Sequence, residues 1–409
     1  MGTVKDMFGR GFGRFIAGFA MTSISEGMLP VAIVFALFKA GYSVGALSAV
    51  MAASAIPMVL FLLVGGVVGD KFSRRNVMIF TSIMNFICLI LLAFMFFEHV
   101  TPLWAIALLA ALSGLLEAFA MPCFQGFIPE IVPSQHLQSA NGMVSMTRGV
   151  GNVIGPAISG LLIALINASF VIALGGITFL LTSMILFTLP KSTDEALSKI
   201  EKSENTLTSL ISGWSEFTKH KWLWVSTLQS TILMPVVMAP MFVLGSLRFA
   251  HVGHGALGWG GLLSFMGGGA ILGSVIAMQV KPRFPLRLGV LTSFGLLLLP
   301  ASLASPLPYA AIAGCFFVGG ISLPFFQILF TTLLQTKIQS DKISRVSSYD
   351  KIGSMCLMPV GFALVAPMVD LFSAHDVLWF SVFVVVVTCT LVLMVKDVRL
   401  LRAEGATES

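Results

Sequence analysis

The chain has 409 residues, of which 57% are hydrophobic and only 10% are charged, with a mean hydropathy of +0.97. A soluble domain carries about 25% charged residues, so this composition excludes a soluble enzyme and indicates a protein that lies in lipid. The formal net charge of +6 raises the question of a nucleic-acid partner, but the placement of the charges gives it a different explanation.

Twelve apolar segments are long enough to cross a bilayer, for which about 20 residues are needed. They fall at 13–38, 45–68, 77–97, 103–124, 141–165, 169–189, 222–247, 256–280, 287–304, 307–334, 347–369 and 377–395. The sequence therefore predicts an all-α membrane protein with twelve transmembrane helices. The first segment contains Glu26 and lacks a small-residue cleavage site, so we do not expect a removable signal sequence.

The basic side chains lie almost entirely on one side of these segments. With the N-terminus inside, 21 of the 24 Lys and Arg fall in inner regions, two fall in outer loops, and Arg148 lies within a segment. Cytoplasmic loops carry an excess of Lys and Arg. We therefore expect both termini in the cytoplasm and the protein in a bacterial inner membrane. This distribution explains the positive charge, and we expect no nucleic-acid partner.

The loop between the second and third spans reads Gly-Val-Val-Gly-Asp-Lys-Phe-Ser-Arg-Arg. Its two glycines predict a close approach of a neighbouring helix, its acid is placed to accept an arginine or a helix end, and its basic residues predict a cytoplasmic turn. The residues concerned are Gly66, Gly69, Asp70, Lys71, Arg74 and Arg75. The pattern resembles the loop signature between the second and third helices of the major facilitator superfamily. A general basic cytoplasmic loop is the other interpretation.

A polar stretch at 190–221 divides the chain into two sets of six spans. It starts with alternating acids and bases and continues with apolar residues at helical spacing up to Phe217, which predicts an amphipathic helix on the inner membrane surface. We therefore expect an N-terminal six-helix bundle at 1–189, a cytoplasmic linker at 190–221, a C-terminal six-helix bundle at 222–395 and a cytoplasmic tail at 396–409.

The two halves repeat at a constant separation of 202 residues. Pro122 corresponds to Pro324 in the fourth and tenth spans, and Gly151 corresponds to Gly353 in the fifth and eleventh. A shared offset in two pairs of spans predicts two pseudo-symmetric bundles, as in transporters built from internal repeats.

Two further regions resemble the macrolide-efflux and enterobactin-exporter branch of the same superfamily. They are Ile128–Pro133 with Ala140–Gly142, and Arg345–Asp350 with Gly353 and Met358–Gly361. The resemblance implies the major facilitator fold and proton-driven export of a drug or a siderophore-like compound, without naming a substrate. Many exporters of this superfamily have a basic residue in the fourth helix. This chain has none there, so their coupling scheme cannot be transferred unchanged.

Small residues form a stripe on the fifth span. The stripe predicts close packing with a bend at its proline, and in this superfamily it is associated with exporters. Simple tight packing is the alternative. Its residues are Gly151, Gly155, Pro156 and Gly160.

Of the 18 acidic residues, Glu26 and Glu117 lie well inside the apolar spans. A charged group at the bilayer centre costs at least about 2.5 kcal/mol, so such a residue is a functional hypothesis by default. A carboxyl group in an apolar cavity can take up a proton from one side and release it to the other, or meet a cationic substrate. We predict a proton-coupling role for both. A structural hydrogen bond to a neighbouring helix is the alternative for each.

Charged residues also mark the inner ends of the fifth and eleventh spans. Arg148 and Asp350 show the same separation of 202 residues, and we predict that they belong to an inner gate. Arg148 is placed to pair with Glu117 or with Asp70. Weaker candidates for substrate contacts are the polar and aromatic side chains within the spans, namely Asn85, Asn152, Gln229, Phe265, Phe326 and Gln327.

The leading interpretation is a secondary transporter that exports a hydrophobic or amphipathic compound in exchange for protons by alternating access. We expect a monomer in the lipid bilayer that acts on a small-molecule substrate, with the proton gradient as energy source and no cofactor. A lysolipid translocator or a nutrient importer on the same fold is the alternative. The sequence has no His-Glu-x-x-His motif and no Walker loop, and its cysteines and histidines show no metal-site spacing. We therefore expect neither an enzyme nor a bound metal. A non-transporting sensor is disfavoured because no large soluble domain is present.

Overall fold

The computed structural model describes residues 11–133, 136–189, 214–251, 255–280, 282–338 and 343–402. Within these ranges the chain is helical and has no strand. Twelve of its helices are long and apolar enough to cross a membrane. The predicted all-α protein with twelve transmembrane helices is therefore confirmed.

The N-terminal half contains α1 (Phe12–Lys39), α2 (Val44–Lys71), α3 (Arg74–Phe97), α4 (Leu103–Ile131), α5 (Leu137–Leu165) and α6 (Ala168–Phe187). In the C-terminal half, α7 comprises Lys221–Leu233, a π turn at Met234–Met238, and Ala239–His251. It is followed by α8 (Gly255–Gln279), α9 (Pro285–Ser293, a 3-10 turn at Phe294–Leu297, and Leu298–Ala304), α10 (Tyr309–Lys337), α11 (Ile343–Met355 and Met358–Leu371) and α12 (Ala374–Met394).

Several helices extend beyond the apolar segments that predict them. α4 continues to Ile131 instead of ending near residue 124, and α5 begins at Leu137 instead of 141. Hydropathy marks the part of a helix that crosses lipid, whereas the backbone hydrogen bonds continue until a residue interrupts them. In α4 the interruption comes from Pro133, because a proline disfavours the helical conformation of the residue before it.

Contacts within the chain group its residues into two compact units. The first comprises Met1–Lys202 with Phe249–Ser264, and the second comprises Ser203–Arg248 with Phe265–Ser409. Residues 249–264 thus group with the first unit although they end α7 and begin α8. The predicted domain limits, with a linker at 190–221 between the two bundles, stay a prediction.

In the first unit, the small-residue stripe of α5 is a packing surface. A Cβ added to Gly151 or Gly155 would come within 2.6 Å of a backbone oxygen of α1. Gly160 faces the start of α8, where the same added atom would lie 2.6 Å from the backbone oxygen of Ala256. Pro156 lies inside the helix between these contacts. Such backbone-to-backbone packing is possible only where a side chain is missing.

The pair α2 and α4 packs in the same way. A Cβ on Gly114 would lie 1.9 Å from the backbone oxygen of Ser54, and Gly65 and Gly69 also face α4. By contrast, a Cβ on Gly66 would meet no described atom within 4 Å, so the close approach predicted at Gly66 is wrong. Residues 65 and 69 are about 40° apart around the helix axis, whereas residue 66 lies about 100° from residue 65 and about 60° from residue 69, at the edge of that face.

The second unit repeats the helix pairs of the first. α7 lies against α11, α8 against α10 and α9 against α12, as α1 lies against α5, α2 against α4 and α3 against α6. Gly353 packs on α7, where its added Cβ would lie 2.6 Å from Cγ2 of Thr227, just as Gly151 packs on α1. The predicted pseudo-symmetry of the two bundles is confirmed.

Most of the predicted linker, residues 190–213, lies outside the described residues. Residues 214–219 are helical. Phe217 is buried and its ring lies 6.2 Å from that of Tyr349, whereas Ser215, Thr218 and Lys219 are exposed. The described end of the linker is therefore amphipathic and packs on the first turns of α11.

Candidate functional site

A cavity of about 390 Å³ lies among α1, α2, α3, α4 and α6 of the first unit. Both acids that the sequence places inside the spans line it, Glu26 from α1 and Glu117 from α4. The structure therefore brings together two residues that are far apart in the chain.

The lining side chains recur at helical spacing on each of these two helices. On α1 they are Glu26, Leu29, Pro30 and Ile33. On α4 they include Ala110, Ser113, Glu117 and Ala120. Residues three, four and seven apart share one face of a helix, so each helix presents a single acid in an otherwise apolar or small-residue face.

Both carboxyl side chains are accessible from the cavity and are not enclosed by packing. Among the described residues, neither has a hydrogen-bond partner, and neither has a basic group within 4 Å. An ionised carboxylate without a partner is costly in apolar surroundings. Each acid is therefore suited to accept a proton or a cation that comes from outside the protein.

Arg148 on α5 is the basic residue whose charge acts on both acids. Its guanidinium lies over the ring of Phe19, 5.5 Å from the ring centre. No ion pair within 4 Å joins Arg148 to Glu117 in the described part of the chain, so the predicted direct pair is not formed. Its other predicted partner, Asp70, has a side chain outside the described set. Coulomb attraction acts beyond contact distance, so the charge of Arg148 can act on both carboxyl groups without an ion pair to either.

The six predicted substrate contacts are distributed over both units, and one of them lines the cavity of the two acids. Asn85 is buried and lines the cavity with the two acids. Gln229 and Phe326 are buried within the second unit, where Gln229 Nε2 donates to Cys389 Sγ over 3.3 Å and Phe326 stacks on Phe330 with ring centres 5.8 Å apart. Neighbouring helices of this unit cover both side chains, and their predicted substrate contacts stay predictions.

The remaining three candidates are exposed side chains. Asn152 and Gln327 are accessible, and Phe265 is 48% exposed. Gln327 Nε2 donates to Thr331 Oγ1 over 3.3 Å, within its own helix. None of the three lines the cavity of the two acids, and their roles stay predictions.

Arg74 at the start of α3 binds the end of α4. Its Nη1 donates to the backbone oxygen of Gly126 over 2.8 Å and to the carboxylate of Glu130 over 3.1 Å. The sequence predicts a basic turn here but not this ion pair, because hydropathy ends the fourth span before Glu130. The side chains of Asp70 and Lys71 lie outside the described set.

Arg75 caps the end of α6. Its side chain is only 6% exposed, and it donates to the backbone oxygens of Leu186 and Phe187 over 2.8 and 2.6 Å. The last carbonyls of a helix have no partner within the helix. The backbone N–H of Leu189 already donates to the oxygen of Leu186 over 3.1 Å, and the buried guanidinium supplies a charged donor to both oxygens.

Arg75→Ala is expected to lower the free energy of unfolding by about 1.5–3 kcal/mol, because the buried carbonyls lose a charged donor. Thermal unfolding of the purified protein in detergent measures this change. Arg287→Ala, at an exposed position at the start of α9, is the matched control and should change stability by less than about 0.5 kcal/mol. Equal destabilisation by both variants would contradict the capping role.

Asp350 on α11 connects two helices of the second unit. Its carboxylate accepts a hydrogen bond of 2.6 Å from Thr227 Oγ1 of α7. One turn along α7, Thr231 Oγ1 donates to the backbone oxygen of Gly353 over 2.8 Å. These bonds hold the first part of α11 against α7. The predicted role of Asp350 and Arg148 in an inner gate stays a prediction.

Comparison with known proteins identifies the family. The family model of the Major Facilitator Superfamily matches residues 15–358. The chain belongs to the major facilitator superfamily. Macrolide efflux protein A of Streptococcus pyogenes is 23% identical over 396 residues, which cover 94% of this chain and 95% of that protein. Multidrug efflux pump Tap of Mycobacterium tuberculosis is 25% identical over 373 residues, which cover 87% and 86%. The resemblance to the macrolide-efflux branch is thus confirmed, at low identity.

Solved structures of the superfamily show the same fold. The nucleoside transporter NupG superposes with a TM-score of 0.74 at 14% identity, and the match covers 94% of this chain and 98% of that one. A D-xylose-proton symporter gives a TM-score of 0.64 at 14% identity, with 96% and 98% covered. At such identities the likeness shows the fold alone. This superfamily member is a multi-pass membrane protein with a transporter fold, and its relatives are transporters, not enzymes.

Sequence reasoning missed most of the cavity lining. Met51 and Ser54 of α2, Cys88 of α3 and Phe179 of α6 face the cavity. Apolar residues that line a cavity have the same character as those that face lipid. No signal in a single sequence separates them, whereas an acid within a span is conspicuous.

Proposed function

We propose that this protein exports hydrophobic or amphipathic compounds in exchange for protons. The observation that carries the proposal is the pair of accessible carboxyl groups, Glu26 and Glu117, in one largely apolar cavity without a described partner. Relatives over nearly the whole chain are named macrolide and multidrug efflux proteins, which supports the direction and the substrate class.

The coupling follows from the cost of an unpaired charge in apolar surroundings. When a carboxyl group of the pair releases its proton, the carboxylate left behind attracts the positively charged or polar part of a substrate. When a proton returns, the carboxyl group becomes neutral again and that attraction is lost. Because proton and substrate compete for the same oxygens, binding of one favours release of the other, which is the requirement for exchange.

The remaining lining supplies apolar surface. A cavity of about 390 Å³ falls within the usual range of about 300–1,000 Å³ for small-molecule sites. Methionine and aromatic side chains such as Met51 and Phe179 adapt to different apolar shapes. We propose that alternating access arises from rocking of the two bundles, with the proton gradient as the energy source and no cofactor.

Transport in inside-out membrane vesicles tests the proposal. With an acidic interior, a fluorescent lipophilic cation or a macrolide should accumulate inside, and its addition should release internal protons to the outside. A protonophore should abolish both signals, and vesicles without the protein are the control. Accumulation that continues in the presence of the protonophore would contradict the proposed proton coupling. Proton movement on addition of a polar nutrient, but not of the lipophilic cation or the macrolide, would contradict the proposed export of amphipathic compounds.

A further inference from the structure

The second unit contains a separate apolar slot of about 630 Å³ among α7, α11 and α12. Its walls are formed mainly by aliphatic and aromatic side chains, including Val360, Leu364, Phe372 and Phe380. Val360, Leu364, Phe372 and Phe380 are all exposed at the protein surface. Their helices are long and apolar enough to cross a membrane, and exposed apolar side chains on such helices suit contact with lipid, so we infer that the slot opens to the bilayer.

Two of the helices beside the slot are irregular. Pro240 has no N–H group, so the backbone oxygen of Val236 lacks its usual partner one turn along α7. Ser381 Oγ of α12 donates over 2.7 Å to that oxygen, which lies within the π turn Met234–Met238. On the opposite wall α11 is interrupted between Met355 and Met358. Such irregular turns within membrane helices are typical of binding sites.

The slot is long enough for an alkyl chain. Its lining along α11 runs from Leu357, just before the second part of the helix, to Phe372, just after it, which spans about 22 Å at 1.5 Å per residue. One leaflet of hydrocarbon is about 15 Å thick, so an extended chain can lie along α11 and α12 within the slot.

Charge lies at one end only. Asp376, in the first turn of α12, lines the slot next to Phe372, on the predicted outer side. Its side chain is accessible, and one of its oxygens accepts a hydrogen bond of 2.6 Å from Ser373 Oγ. The other lies 3.6 Å from Nδ1 of His375. Trp379 Nε1 donates to His375 Nε2 over 3.1 Å, which places the proton of a neutral imidazole on Nδ1.

These features select the chemical class of the occupant. Among the described residues that line the slot there is no Lys or Arg, so a phosphate headgroup would find no basic partner and would be repelled by Asp376. An amine would be attracted by the carboxylate and by the faces of Phe372 and Phe380. We propose that the slot binds a cationic amphiphile from the bilayer, with its alkyl chain between α11 and α12 and its amine beside Asp376. The site is separate from the cavity of Glu26 and does not depend on the proposed export.

Photo-cross-linking of the purified protein in nanodiscs of zwitterionic lipid tests this site. The probes are an alkylamine with a diazirine on its chain and the alcohol with the same chain. Peptide mapping should place the amine label on residues 357–381. Leu364→Trp should abolish it by filling the slot. Asp376→Asn should weaken labelling by the amine about fivefold, as expected for a partly exposed charge pair, and leave the alcohol unchanged.

Two variants serve as matched controls. Leu391→Trp lies on the lipid-facing part of α12, 56% exposed and away from the slot, and Asp370→Asn removes an exposed acid of α11 that does not line it. Neither should alter labelling. Equal labelling by amine and alcohol, or a label spread over all lipid-facing helices, would overturn the proposal. So would a phospholipid that co-purifies with wild type and Asp376→Asn but not with Leu364→Trp, or a change of oligomeric state in Leu364→Trp.

Discussion

Glu26→Gln is expected to abolish accumulation of substrate against its gradient, down to the level of liposomes without protein. Glutamine has nearly the same shape as glutamic acid but cannot release or take up a proton at this position. The side chain points into a cavity and has no described hydrogen-bond partner, so the substitution removes the proton site without breaking a structural contact. Folding yield and unfolding temperature should therefore stay at the wild-type values.

The measurement compares two modes of transport by the purified variant in liposomes. Accumulation driven by a pH gradient should be lost, whereas equilibration of an uncharged substrate down its own gradient should continue, because that mode needs no proton. Glu117→Gln should weaken the driven mode in part, since Glu26 keeps its carboxyl group. Glu98→Gln, at the exposed end of α3, is the matched control and should transport like wild type. Driven accumulation by Glu26→Gln at the wild-type rate would eliminate this acid as the coupling group.

Gly114→Ala is expected to have the largest effect on stability of any single methyl group added to the first unit. The new Cβ would lie 1.9 Å from the backbone oxygen of Ser54, so α2 and α4 must move apart. Overpacking in a well-packed interior costs about 1–3 kcal/mol, and a clash with backbone cannot be relieved by turning a side chain. We expect a lower unfolding temperature and a lower yield of folded protein.

Gly142→Ala provides the matched comparison for this prediction. A Cβ at Gly142 would meet no described atom within 4 Å, and alanine is a better helix former than glycine by about 1 kcal/mol. This variant should unfold at the same temperature as wild type or at a higher one. If Gly114→Ala were as stable as Gly142→Ala, the tight contact between α2 and α4 would be absent in the protein.

The fold was predictable because the bilayer simplifies the sequence. Every span must be apolar over about 20 residues, and the basic residues must fall in every second loop, so twelve helices and an internal repeat can be read without an alignment. The ends of the helices were harder to predict from the sequence. α4 extends to Ile131, and Arg74, which contacts this end at Glu130, is distant in sequence and is brought there only in the folded chain.

The candidate site was predictable only at residues that break the apolar pattern of the membrane spans. Glu26 and Glu117 stand out because an acid is costly in lipid, and they do share a cavity. The polar and aromatic candidates do not stand out in this way, and their roles stay predictions. Gln229 satisfies a local hydrogen bond and Phe326 fills a helix interface, roles that composition cannot distinguish from ligand contact.

The glycine contacts of the first unit also determine how this half can respond to a ligand. Where Gly151 and Gly155 bring backbone against backbone, and Gly114 does the same on another helix pair, there is no layer of adjustable side chains between the helices. Such a bundle is mechanically stiff and deforms little under load. Changes in ligand preference during evolution would then be confined to cavity positions such as Met51 and Phe179, while the helices that carry them hold their spacing.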